Sequence, residues 1–244
     1  MNNKFFNDAI IGNKNIKATF SKKGELLRAY YPAVDFKQFI DFYNVGVKIN
    51  DSAIIYLHDD INNRYAQYYT ENTNILNTEI ENTYFNLKVR QTDFAVLNKN
   101  VIVRRYTFVN SNKLPLELRL LIRSKLLSDY NNMVSARVIQ NGMIQYNHDF
   151  SISTFANHEI SGHRINDVED YIREAKLTDK DYIGMSNDSA ISYDLGTLQP
   201  GDQIDFNVFI YIENNKTQSG SEFIEEEIEK LKRLDVAKEY MAAK

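Results

Sequence analysis

"QIDFNVFIYIEN", Gln203–Asn214, decides the fold. Ile204, Phe206, Val208, Ile210 and Ile212 recur at every second position, the period at which a strand turns successive side chains to opposite faces. These residues therefore share one buried face. Phe209 and Tyr211 make the opposite face apolar too, which predicts a central strand with a second layer or neighbour over that side.

The flanking sequence repeats the pattern. In "LELRLLIR", Leu116, Leu118, Leu120 and Ile122 fall on one face, and Glu117, Arg119 and Arg123 on the other. "FNLKVRQ" (85–91) and "VIVRRYTFVN" (101–110) read as two more strands, separated by a polar turn at Asn98 to Asn100. Turn chemistry punctuates these runs. In "LGTLQPGDQI", Pro200 presets φ and Gly201 accepts a left-handed conformation, so a strand ending near Leu198 reverses into one beginning near Ile204. "VIQNGMIQY" places Asn141-Gly142 where a two-residue hairpin turn demands positive φ. In "KATFSKKGELLRAYYP" (17–32), Lys23-Gly24 does the same between two short strands.

Helical spacing is confined mostly to the end of the chain. From Ser221, residues Phe223, Ile224, Ile228, Leu231, Leu234 and Met241 recur at helical intervals, and Glu222 and Glu225 to Glu227 occupy the first turns, where the helix dipole favours acids. Ser219 or Ser221 supplies an N-cap, and "NNKTQSGS" before it reads as a linker. The chain thus divides into a β-domain over 1–218 and a linker helix over 219–244.

Composition bounds the function. With 43% hydrophobic residues, 16 Tyr and 14 Phe, the 244-residue chain has ample material for a folded core. The net charge is -4 and the basic residues are scattered among acids, so no nucleic-acid partner is expected. Cysteine is absent, which excludes disulfides and thiolate-ligated metals. The sequence shows neither a secretory leader nor an apolar run of membrane-spanning length, and a cytoplasmic protein without membrane partners is expected. The sequon-like "NDS" at Asn187 and "NKT" at Asn215 then read as chance matches in an Asn-rich chain.

Two stretches carry a family resemblance. "IIGNKNIKATFSKKGELLRAYYPAVDFKQFIDFYNVGV" (10–47) resembles the start of bacterial glycoside hydrolases of family 15, the glucoamylase and glucodextranase group. The shared elements are the Gly12-Asn13 turn, the hairpin from Ala18 to Leu26 and Tyr30-Tyr31-Pro32; Lys14 stands where the family commonly has another glycine. "DYIGMSNDSAISYDLGTLQPGDQIDFNVFI" (181–210) is similar to the end of the same N-terminal domain. The resemblance runs from Gly12 to the helix after Ser221. It implies an all-β, two-sheet antiparallel supersandwich, similar to galactose mutarotase, then a linker helix and an (α/α)6 barrel that carries catalysis.

That inverting reaction needs two carboxyl groups roughly 6.5–9.5 Å apart. In the family both lie in the barrel, and this chain has no run of alternating helices to build one. The resemblance therefore implies a non-catalytic domain. Its partner is the catalytic helical-barrel domain of the same polypeptide, and Phe223, Ile224, Ile228 and Leu231 are the candidate interdomain contact. An autonomous carbohydrate-binding or mutarotase-like domain is the alternative, with an α-glucan oligosaccharide as ligand.

Chemistry-bearing residues are few. Of the four histidines, His158 and His163 lie close to Glu159 in sequence, and His58 opens "HDD", yet no mutarotase motif surrounds them. Neither group has zinc-site spacing, so no metal or cofactor is expected and His148 has no assigned role. Tyr65, Tyr68 and Tyr69 in "RYAQYYTEN" are candidates for stacking on a pyranose, against an ordinary strand role. No phosphate loop or nucleophile elbow occurs.

Overall fold

Two eight-stranded antiparallel sheets make up the computed structural model, which describes residues 7–32, 38–52, 54–127, 133–173, 177–182, 184–214 and 221–243. In sheet 1 the spatial order is β1 (Ala9–Gly12), β2 (Lys17–Phe20), β3 (Leu26–Tyr30), β4 (Ile40–Ile49), β10 (Leu116–Leu126), β15 (Asp188–Leu198) and β14 (Gly162–Ile165), with β5 (Ile54–Tyr56) also paired to β4. Sheet 2 runs β11 (Ser135–Ile139), β12 (Gly142–Tyr146), β13 (Phe150–Ala156), β16 (Gln203–Asn214), β9 (Val101–Asn110), β8 (Leu87–Ala95), β7 (Leu76–Asn82) and β6 (Asn63–Tyr69). The helices are α1 (Val168–Arg173), α2 (Ser221–Leu231) and α3 (Val236–Ala242). Among the described residues no helix is long and apolar enough to cross a membrane.

The alternation in the sequence sets the layers. Phe206, Val208, Ile210 and Ile212 of β16 and Leu116, Leu118, Leu120 and Ile122 of β10 all belong to one core between the sheets, with Ile204 packed at its margin. Each such fully buried side chain contributes roughly 1.5–3 kcal/mol. The opening hairpin forms as expected: the Gly24 N–H donates to the Ser21 carbonyl at 2.9 Å, and Gly24 sits at φ +82°.

Two turns differ from their sequence reading. Ile139 pairs with Gly142, so the hairpin turn is Gln140-Asn141 and Gly142 opens β12. Neither Asn141 nor Gly142 has positive φ. Gly142 is there for space: a Cβ would lie 2.1 Å from the Thr154 carbonyl oxygen and 2.6 Å from the Phe155 Cα on the neighbouring strand. At Pro200-Gly201 the turn itself is as read, with Gly201 at φ +87° and the Asp202 N–H donating to the Gln199 carbonyl at 3.0 Å. It is no hairpin, however, because β15 lies in sheet 1 and β16 in sheet 2. Asn110 stitches this crossing to the one after β9, its Nδ2 donating to the Leu198 and Leu114 carbonyls at 2.9 and 3.0 Å.

The terminal helix is divided in two. Asp235 caps α3, its side chain accepting from the Lys238 N–H at 3.1 Å, and this local bond competes with continuing α2. The linker and the Ser219 cap lie outside the described residues. The short α1 had no clear sequence signal; Val168 and Ile172 place it over Leu121 and Ala190 on the outer face of sheet 1.

Candidate functional site

Arg104 and Arg105 are consecutive on β9, so they leave the sheet on opposite faces. Arg104 points between the sheets, where its Nε donates to Asp93 Oδ1 at 2.7 Å and both side chains are 0% exposed. Its Nη2 donates to the Gly24 carbonyl at 2.8 Å, and Gln91 Nε2 donates to the same oxygen at 2.8 Å and to Asp93. With the Gln91 amide nitrogen so engaged, its Oε1 accepts from His58 Nε2 at 2.9 Å, which fixes the His58 tautomer. The rings of Phe20, Tyr43 and Tyr106 stand 5.6, 5.5 and 5.9 Å from the guanidinium.

Burial and, second, the Arg104 charge push His58 down to about 3. Burial pushes the Asp93 carboxyl up against the pull of Arg104. For Arg104 desolvation, the largest single effect, works downward, but the Asp93 charge and hydrogen bond together with Tyr106 and Tyr43 outweigh it and raise the guanidinium further. A pocket of about 170 Å³, lined by Glu25, Asn44, Val45, Tyr56, His58 and Asp59, reaches the His58 end of the cluster. His58 stays neutral near pH 7 and is poorly matched to acid–base work there. The arrangement pins the opening hairpin to sheet 2.

On the outer face of sheet 2, register sets side chains in rows across the strands. Arg64, Glu81, Lys88, Val109 and Gln203 form one row; Ala66, Glu79, Arg90, Thr107 and Asp205 the next; Tyr68, Asn77, Thr92, Arg105 and Asn207 a third. Beyond these polar rows the face turns apolar. Phe94, Val103, Phe209 and Tyr211 form one buried cluster with Ile224, Ile228 and Leu231 of α2, which are 9%, 1% and 2% exposed. This is the second layer that Phe209 and Tyr211 call for. Ile224, Ile228 and Leu231, three of the residues expected at an interdomain contact, pack in this structure on the chain's own sheet, whose apolar half needs cover. The Phe223 side chain lies outside the described ones. Leu234, Val236 and Tyr240 extend the cover, with Tyr240 edge-on to Phe94 at 5.9 Å between ring centroids.

The polar half stays open. A groove of about 450 Å³ lies there, lined by residues that include Arg64, Ala66, Glu79, Lys88, Arg90 and Thr107. The charges are paired across strands: Lys88 with Glu81 at 3.8 Å, Arg90 with Glu79 at 3.7 Å and Arg105 with Asp205 at 2.6 Å. Burial works to raise the Asp205 carboxyl, but the Thr107 hydroxyl and Arg105 guanidinium outweigh it and hold it below the usual carboxylate range.

The three tyrosines of "RYAQYYTEN" have different positions. Tyr65 is half-buried against the core. Tyr69 is committed to the edge of sheet 1, its hydroxyl accepting from the Ile10 N–H at 2.7 Å and donating to the Ile10 carbonyl at 2.9 Å. Tyr68 is 47% exposed, and its hydroxyl donates at 3.2 Å to Glu79, which lines the groove as Tyr65 does. Alternation along the strand already puts Tyr65 and Tyr69 on one face and Tyr68 on the other.

His158, Glu159 and His163 are not brought together. His158 lies against the Phe206 ring and Nδ1 contacts Asn157; Glu159 accepts from Gln140; His163 Nε2 pairs with Asp181 at 2.9 Å. Of the "HDD" run, His58 is buried, Asp59 pairs with Lys23 at 3.5 Å and Asp60 caps a turn at Asn62. Among the described residues no group of three or more His, Cys, Asp or Glu is placed to hold a metal.

No protein-family model matches the sequence, and no curated protein does. Solved structures do match. A bacterial glucoamylase complexed with acarbose superposes with TM-score 0.74 at 13% identity, over 98% of this chain and 36% of that one. A protein from the human microbiome assigned as a kojibiose phosphorylase gives TM-score 0.64 at 10% identity, over 94% and 34%. A galactose mutarotase related enzyme from Lactobacillus acidophilus gives 0.52 at 9% identity, over 86% and 99%. The chain thus spans about a third of the glucoamylase and the phosphorylase. At such identities the likeness shows the fold, a two-sheet antiparallel sandwich of the galactose mutarotase-like kind.

Proposed function

We infer that this chain is a non-catalytic N-terminal β-domain of a glucoamylase-like glycoside hydrolase of the family 15 kind, supporting a catalytic helical barrel in α-glucan hydrolysis. The observation that carries this reading is the extent of the match. The glucoamylase superposes over 98% of the chain at TM-score 0.74, whereas the mutarotase-related enzyme covers 86% at 0.52. The order of motifs from Gly12-Asn13 to Pro200-Gly201 supports the same reading. Because Ile224, Ile228 and Leu231 are engaged within the chain, a barrel would have to dock elsewhere. A cytoplasmic location belongs to this proposal.

An autonomous sugar-active domain is the second reading, favoured by the mutarotase-related enzyme, of which 99% is matched by the sandwich alone. The native polypeptide mass separates the two. An immunoblot of source-cell lysate with an antibody to this domain gives a band well above 28.4 kDa if a barrel follows, and α-glucoside hydrolysis is then assayed on that form. A band at 28.4 kDa overturns the first reading.

A further inference from the structure

The inner cluster around Arg104 does not close on itself. Nε and Nη2 donate to Asp93 and to the Gly24 carbonyl, but Nη1, equally buried, has no hydrogen-bond partner among the described residues. Three hydroxyls are in the same condition: Tyr43 on β4, Tyr106 on β9 and Thr154 on β13 are each 1% exposed or less, and none has a partner among the described residues. A buried polar atom without a partner forfeits its hydration, and folded proteins leave few such atoms. Four of them gathered between the sheets call for a shared partner.

Their surroundings fix the chemistry of that partner. The Tyr43 and Tyr106 rings stand 5.5 and 5.9 Å from the guanidinium, near the far limit of cation–π contact, so they wall it in without replacing the missing hydrogen bond. Thr154 alternates with Ile152 and Ala156 of the inter-sheet core, and it acts on the Tyr43 hydroxyl from a position short of hydrogen-bond geometry. Burial pushes both phenols up, Tyr43 to about 12, so each keeps a proton to donate. The Arg104 charge is already matched by Asp93, and an anion here would bring an uncompensated charge into the core. A cation would face Nη1, which only donates. A neutral molecule that both donates and accepts meets every requirement. We propose that Arg104 Nη1, Tyr43, Tyr106 and Thr154 form a binding site for a buried water molecule that ties sheet 1 to sheet 2. The water accepts from Arg104 Nη1 and the Tyr106 hydroxyl and donates to the Tyr43 and Thr154 oxygens. A buried water makes about two to four such bonds. The site extends the chain from His58 through Gln91, Asp93 and Arg104 to Tyr43 on the facing sheet.

The test is a crystal structure of the full 244-residue chain at a resolution that shows ordered water, repeated on crystals soaked in sodium bromide. The expected result is a single density peak about 2.6–3.2 Å from Arg104 Nη1 and from at least two of the three hydroxyls, with no anomalous signal in bromide. The peak should be lost in Tyr43→Phe, and Tyr106→Phe gives the same reading should the first variant fail to fold. Tyr193→Phe should keep it, because that hydroxyl is already committed to the Asn141 carbonyl at 2.7 Å. Direct hydrogen bonds from Arg104 Nη1 to a tyrosine hydroxyl, with no peak between them, overturn the proposal. So does an anomalous bromide peak at the position, which makes it an anion site, and so does a peak indifferent to both Tyr43→Phe and Tyr106→Phe. None of these results bears on the native mass, so the glycosidase reading stands or falls separately.

Discussion

Two neighbouring arginines on β9 make ion pairs of nearly the same length in opposite surroundings. Arg104 meets Asp93 at 2.7 Å with both side chains wholly buried; Arg105 meets Asp205 at 2.6 Å with both about two-fifths exposed. Distance therefore does not set what each pair is worth. A buried charge stripped of its partner has no water to fall back on, while an exposed pair exchanges one good solvation for another. The inner pair also fixes structure, because Arg104 and Gln91 hold the Gly24 carbonyl and with it the opening hairpin.

Arg104→Met tests this contrast most severely. It leaves Asp93 buried and unpaired, and we expect a loss of about 3–5 kcal/mol in urea denaturation. Adding Asp93→Leu should restore most of that loss, with a deficit from the Gly24 carbonyl. If the double variant is as unstable as the single one, the unpaired charge is not the cause.

On the outer face, Ile228→Ala probes the half that α2 covers. The expected cost is about 2–4 kcal/mol, with new binding of an apolar dye if the helices lift away. A cost near zero would mean that α2 contributes little cover to Phe94 and Phe209.

The pH dependence of stability reports the inner cluster without removing it. His58 has its folded value depressed from 6.5 to about 3, so the unfolded chain takes up its proton first as pH falls. Stability should drop by about 2 kcal/mol between pH 7 and 5, above the main carboxylate range. In His58→Gln that slope should flatten; an unchanged slope assigns it to the other histidines.

Arg105→Ala is the mild counterpart of the first variant. We expect about 1 kcal/mol or less, shrinking further in high salt. A loss equal to that of Arg104→Met would dissolve the comparison.

Much of this was legible in the residues. The period-two runs of β10 and β16 named their inward faces correctly, since a strand in a sandwich has no other way to bury alternate side chains. The candidate groove was scarcely legible. Alternation sets Tyr68 apart from Tyr65 and Tyr69, but Glu79, Arg90 and Thr107, which line the groove, lie on three different strands and meet only through register.

By itself the sequence determined the fold class, the left-handed turns at Gly24 and Gly201 and the need for a layer over Phe209 and Tyr211, because these follow from local geometry and hydrophobic period. Only the tertiary structure decided that Pro200-Gly201 joins two sheets, that Gly142 makes room for Phe155, that α2 covers this chain's own sheet, and that one arginine of an adjacent pair is buried. Those outcomes depend on which strands become neighbours, and neighbours are chosen by long-range packing that no local window contains.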